Sequence, residues 1–131
     1  VPAAPAPADW RDAPITPGDW TYAANPAGSA ASFANGLVTL RCDLRSHAVT
    51  LTRAAAPSGR PASLGVTTSD TTRTLAAQAS PAGLAATLSG RDRLLDSMAF
   101  SRGRFAVATA GEPTLYVPSW SEVSRVVEDC R

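Results

Sequence analysis

The sequence predicts a mainly β domain: an antiparallel, sandwich-like sheet of about seven or eight short strands, with a mid-chain helix, a C-terminal helix and one disulfide. Three observations carry this. Short runs such as VTLRC (38–42) and AVTLT (48–52) alternate apolar with polar residues, the period of a half-buried strand. Turn signals, Asn35-Gly36 foremost, separate these runs. Only two cysteines are present, Cys42 and Cys130, and each falls on the apolar face of its predicted element.

The chain has 131 residues, the size of one domain with a core of its own. Much of its apolar content is alanine, so the core rests on a limited set of Leu, Val, Phe and Trp. The formal net charge is +1, which creates no field that favours nucleic acid or an anionic membrane. Lysine is absent, a coding bias of GC-rich bacterial genomes. No apolar run approaches the ~20 residues of a membrane-spanning helix. The start, VPAAPAPADW, reads as the small-residue terminus left by a signal peptidase and so predicts export.

Residues 1–17 form a proline-rich, extended arm, because Pro2, Pro5, Pro7, Pro14 and Pro17 each fix φ and remove a backbone donor. Trp10 interrupts the arm, as a staple to the body or as a contact for a partner. The single β-rich domain is expected over 18–131. Its strand candidates are GDWTYA (18–23), SAASFA (29–34), LVTLRC (37–42) and HAVTLTRA (47–54). SLGVTT (63–68) and TTRTLAA (71–77) then flank a Ser69-Asp70 turn. LAATL (84–88) follows, and RFAVAT with TLYV bracket the turn AGEP. Val38, Leu40 and Cys42 share one strand face, which points Cys42 at the core.

The segment from Ser89 to Gly103 has helical spacing. Leu94, Leu95, Met98 and Ala99 share one side, and Ser89 with Asp92 resembles a capping box. The closing helix is the best-specified element. Ser119 reads as its N-cap, Glu122 completes an S-x-x-E box, and Trp120, Val123, Val126, Val127 and Cys130 form its apolar stripe. A Cys42–Cys130 bridge then pins this helix to an early strand. Such a bridge forms in an oxidising compartment, so it points to the periplasm or the exterior.

Few residues suggest chemistry. His47 is the only histidine, and its neighbours Asp43 and Ser46 sit in a turn. A small hydrolase built on this cluster is the third-ranked reading. No metal-ligand spacing or phosphate loop is present, and no cofactor is expected. Two arginine pairs flank the mid-chain helix, Arg91 with Arg93 and Arg102 with Arg104. They form a candidate cationic edge for a carboxylate-bearing partner or glycan, or else plain solvated charge.

Gly18-Asp19-Trp20, Leu40-Arg41-Cys42 and the ending Ser119-Trp120 with Glu122-Val123, a helix and a cysteine resemble small exported proteins of alphaproteobacteria, sphingomonads especially. More remotely, the layout is similar to the invasion-associated locus B and type VI secretion-associated groups. The resemblance covers residues 18–131 and implies a periplasmic β-sandwich-like domain with a late helix and disulfides, acting as an accessory or interaction protein. This chain departs from those groups in having one bridge only, and no catalytic residue carries over.

The sequence therefore predicts a non-enzymatic exported subunit that binds another protein of the cell envelope, without nucleic acid or a membrane span of its own. Trp10, Arg91, Arg93, Arg102 and Arg104 are its candidate contacts. The alternative is an inhibitor of an envelope hydrolase, a protease or lysozyme, presenting loops 54–61 and 110–114.

Overall fold

The computed structural model describes residues 10–56 and 62–131. Residues 1–9 of the arm and 57–61 of the first candidate loop lie outside the described residues. Among the described residues, nine strands form one antiparallel sheet: β1 (Trp20–Asn25), β2 (Gly28–Phe33), β3 (Val38–Asp43), β4 (Ala48–Arg53), β5 (Ala62–Thr67), β6 (Thr72–Ser80), β7 (Gly83–Ser89), β8 (Arg104–Ala108) and β9 (Leu115–Pro118). Two helices, α1 (Arg93–Ala99) and α2 (Ser121–Asp129), complete the fold.

The spatial order is β1-β2-β3-β4-β7-β6-β5-β8-β9. The count is thus nine rather than seven or eight, and all nine belong to one sheet. The weakest candidate, the alanine-rich LAATL, is the central strand β7, paired to both β4 and β6. Alanine has low strand propensity, but two neighbours and the buried Ala86 and Leu88 outweigh it. Strand β6 joins the two halves, its first part pairing β5 and its last three residues β7.

The sheet curls until its two edges meet. The indole N–H of Trp20, at the start of β1, donates to the carbonyl of Pro118, at the end of β9, at 2.7 Å. Inside the curl lie Phe33, Leu40, Leu51, Leu64, Phe105 and Val117, all fully buried. The Asn35-Gly36 signal holds. Ala34, Asn35 and Gly36 all take positive φ (51°, 59° and 99°), in a four-residue connection between β2 and β3.

Helix α2 buries Val123, Val126, Val127 and the following Cys130 against β1, β2 and β3. Trp120 does not share this burial and is 44% exposed. It occupies the N-cap position with an extended backbone (φ −83°, ψ 170°), so helical spacing begins one residue after it. The expected capping box is absent, because the Ser119 hydroxyl has no partner and Glu122 accepts from the Ser121 hydroxyl instead. The box at α1 is replaced too. Asp92 is itself the N-cap and accepts from the Leu94 N–H at 2.9 Å.

The Cys42–Cys130 disulfide is present, with Cα atoms 5.5 Å apart and a sequence separation of 88. Two glycines make room for it. A Cβ on Gly28, where φ is +155°, meets the Cys42 carbonyl oxygen at 1.9 Å, and a Cβ on Gly90 meets that of Cys130 at 2.4 Å. Outside the bridge, Tyr22 donates its hydroxyl to Asp129, and the Arg125 guanidinium lies 4.0 Å over the Tyr22 ring. Both contacts tie α2 to the first strand.

Two ion pairs fasten α1. Arg73 on β6 meets Asp92 at 2.5 Å, and Arg131 meets Asp96 at 2.6 Å. The Arg73 hydrogen bond, aided by the Leu94 N–H, holds the Asp92 carboxyl below the usual carboxylate range. The Arg131 hydrogen bond does the same for Asp96. A depressed folded-state pKa adds stability that is present above the unfolded value of about 3.9 and is lost as pH falls through the folded value. The urea midpoint is therefore expected to hold from neutral pH to about pH 5 and to drop below about pH 4. The D92N/D96N double variant should show a shallower acid drop in urea titrations across that range.

Candidate functional site

A cleft of about 670 Å³ lies where the β5–β6 turn faces the end of α1. Its lining is chemically mixed. Arg11, Arg93 and Arg102 bring positive charge, Asp70 and Asp96 negative charge, Ser69 and Ser97 hydroxyls, and Phe100 an aromatic ring.

Local sequence explains how the walls are set. In the β5–β6 turn the Thr68 hydroxyl donates to Asp70 Oδ1 at 2.8 Å, and the Thr68 N–H bonds the Thr71 carbonyl, a compact polar turn. Across the cleft, Ser101 is buried at the exit of α1. Its Oγ accepts from the Ser69 N–H at 3.0 Å and donates to the Arg104 carbonyl at 2.5 Å. The Arg102 N–H donates to the Ser69 hydroxyl at 2.6 Å. The Ser97 hydroxyl reaches Asp70 Oδ2 at 3.2 Å. With the contact between the Ser69 and Ser101 hydroxyls at 3.1 Å, four hydrogen bonds latch turn and helix end together, so the cleft is preformed.

Phe100 stands at the rim, 75% exposed, the most exposed large apolar side chain among the described residues. It is the C-cap of α1 and falls off the stripe formed by the buried Leu94, Leu95 and Met98. An apolar ring held in water by a seven-residue helix contributes nothing to the core. Around it the electrostatics are uneven. Asp96 is committed to Arg131, and Asp70 accepts from two hydroxyls. Arg93 and Arg102 are exposed, and their guanidinium groups make no hydrogen bond or ion pair among the described residues.

The predicted contacts divide. Arg93 and Arg102 come together in the cleft. Arg104 turns away and donates to the Ala13 carbonyl, which holds the chain entering the domain. Arg91 is exposed in the turn before α1 and does not line the cleft. Trp10 begins a short 3-10 turn, half-buried, with the Arg11 guanidinium 5.0 Å from its ring centroid, and Arg11 reaches the cleft. Residues 10–16 are stapled to the body as well: the Thr16 N–H bonds the Tyr116 carbonyl at 2.9 Å, and the Tyr116 N–H bonds the Thr16 hydroxyl at 2.9 Å.

Sequence reasoning missed Phe100, Asp70 and the two latching serines. Phe100 carried a usable signal, since an aromatic one step off a helical stripe must face outward. Ser69 and Asp70 gave only a turn signal, and nothing local reveals that the turn meets a helix end thirty residues later.

Elsewhere, His47 sits at positive φ (50°) with its Nδ1 3.2 Å from the Cys130 carbonyl, beside the disulfide. Asp43 accepts from the Arg45 N–H in the same turn. The two candidate inhibitory loops touch: buried Arg53 donates to the Pro113 carbonyl, and the Ala56 N–H to Glu112 at 3.1 Å. Among the described residues, no His, Cys, Asp and Glu side chains group to hold a metal ion. No described helix is long and apolar enough to cross a membrane.

Comparison with known families, curated proteins and solved structures returns no match.

Proposed function

We propose that this chain is a non-enzymatic, exported interaction domain that docks another protein of the cell envelope through the Arg93–Phe100–Arg102 cleft. The observation that carries this reading is the exposed Phe100 ring, which lines the same cleft as Arg93 and Arg102 on a latched wall. Aromatic and arginine side chains dominate binding energy where two proteins meet. A preformed wall loses little entropy on docking. The disulfide supports an oxidising compartment, since such a bridge is maintained outside the reducing cytosol. Trp10 and Arg11 extend the surface at one side.

A photoreactive phenylalanine at position 100, introduced into the protein in its own cells, tests this. One defined adduct is expected from position 100 and none from position 52, a partly exposed position of β4 that does not line the cleft. Arg93→Gln with Arg102→Gln should abolish the adduct without lowering the melting temperature. Equal labelling from both positions, or no adduct under any growth condition, contradicts the reading.

A further inference from the structure

We infer that the cleft receives the C-terminal residue of its partner, a free chain-end carboxylate next to an apolar side chain; this rests on the docking role proposed above. The argument is one of chemical complementarity. Arg93 and Arg102 present guanidinium forks without ion-pair partners among the described residues, and a fork matches a carboxylate with two parallel hydrogen bonds. Asp70 lies in the same cleft, fixed by Thr68 and Ser97, and each of its oxygens keeps a lone pair for a further donor. Phe100 supplies an exposed ring.

Arg93 and Arg102 as donors, Asp70 as acceptor and the Phe100 ring together describe a single residue type by its main chain, in a cleft to which Arg11 adds further positive charge. The last residue of a polypeptide carries a carboxylate, a backbone N–H and a side chain on the same Cα. The carboxylate goes to the arginines, the N–H to Asp70, and the side chain onto Phe100, where ring contacts favour an aromatic or a branched aliphatic group. An internal Asp or Glu does not offer this set, because its carboxylate is itself the side chain and leaves Phe100 uncovered. A polyanion would be repelled by Asp70 and has no use for the ring. Asp96 is held by Arg131 at 2.6 Å and also feels the nearby Arg93 charge, so an incoming carboxylate shares Arg93 with it and has Arg102 to itself.

Three tripeptide probes test the inference by amide chemical-shift titration of the intact protein: N-acetyl-Ala-Ala-Phe as the free acid, the same peptide as its amide, and N-acetyl-Ala-Asp-Ala amide. The free acid is expected to bind in the millimolar range, shifting the amides of Ser69, Asp70 and Arg102. The amide and the aspartate peptide should bind at least about tenfold more weakly, the loss of one charge-assisted fork. Arg93→Gln and Arg102→Gln should each weaken the free acid alone, and Phe100→Ala should reduce its advantage over acetate. All three side chains are exposed, so their variants should keep the wild-type melting temperature.

Equal binding of acid and amide overturns the inference, as do equal binding of the aspartate peptide, acetate matching the peptide acid, or no shift at millimolar acid. The photo-adduct from position 100 separates the two claims. An adduct without acid preference leaves the docking role standing and removes the chain-end specificity.

Discussion

Replacing Cys42 and Cys130 together by alanine is expected to lower the unfolding free energy by about 4–5 kcal/mol, the chain-entropy value for a loop of this length. The bridge closes 88 residues, so its loss enlarges the unfolded ensemble more than most single bridges do. Domains of this size have a net stability of about 5–15 kcal/mol, so the double variant sits near the threshold of folding at physiological temperature. Urea titration measures the effect. Wild type with reductant should match the variant, and the variant should ignore reductant. A shift below about 1 kcal/mol would mean that α2 holds its place by packing alone. The stripe of Val123, Val126 and Val127 is too small to make that the expectation.

Phe33→Ala is the second large loss, about 3–5 kcal/mol, because the ring is fully buried and the space left behind cannot collapse. The position has a further consequence. Phe33 packs against Trp20, with ring centroids 5.5 Å apart, and Trp20 carries the hydrogen bond that joins the first strand to the last. Removing Phe33 frees Trp20 to move and loosens that seam. The tryptophan emission of the folded variant should therefore shift to the red, while Phe33→Leu should cost less than about 1.5 kcal/mol and leave the emission in place. Trp20→Phe tests the seam by itself. It keeps an apolar ring but leaves the Pro118 carbonyl unpaired, at about 1–3 kcal/mol.

The strands were legible because their signals are local. Alternation in VTLRC places Leu40 and Cys42 on one face, and both are buried. The cysteine pairing was legible for the same reason, since two separate periodicities each turned one sulfur inward and no third thiol competed. The LAATL candidate, which is strand β7, carried the weakest local signal because alanine says little by itself. Its place between β4 and β6 depends on partners far away in the chain. The end of the sequence shows where local rules overreach. Ser119 and Glu122 have the spacing of a capping box, but the Ser119 N–H goes to the Gly103 carbonyl, and the helix starts at Ser121. The cleft was half legible. The arginine pairs marked the correct helix, and only the Ser69–Ser101 latch decides which of the four guanidinium groups converge.

The position of the bridge also governs how the chain bears load. Tension applied between residue 10 and residue 131 runs along the backbone to Cys42, crosses the sulfurs to Cys130 and leaves one residue later. Everything from β4 through α1 to β9 is bypassed, and only β1, β2 and β3 can be peeled away. At about 3.5 Å per residue the ends can separate to roughly 120 Å, against about 420 Å for the same span without the bridge. The β5–β6 turn and the end of α1 lie within the bypassed part, whereas Arg11 lies on the pulled segment, so tension draws Arg11 out of the cleft and leaves the wall of Arg93, Phe100 and Arg102 behind the bridge.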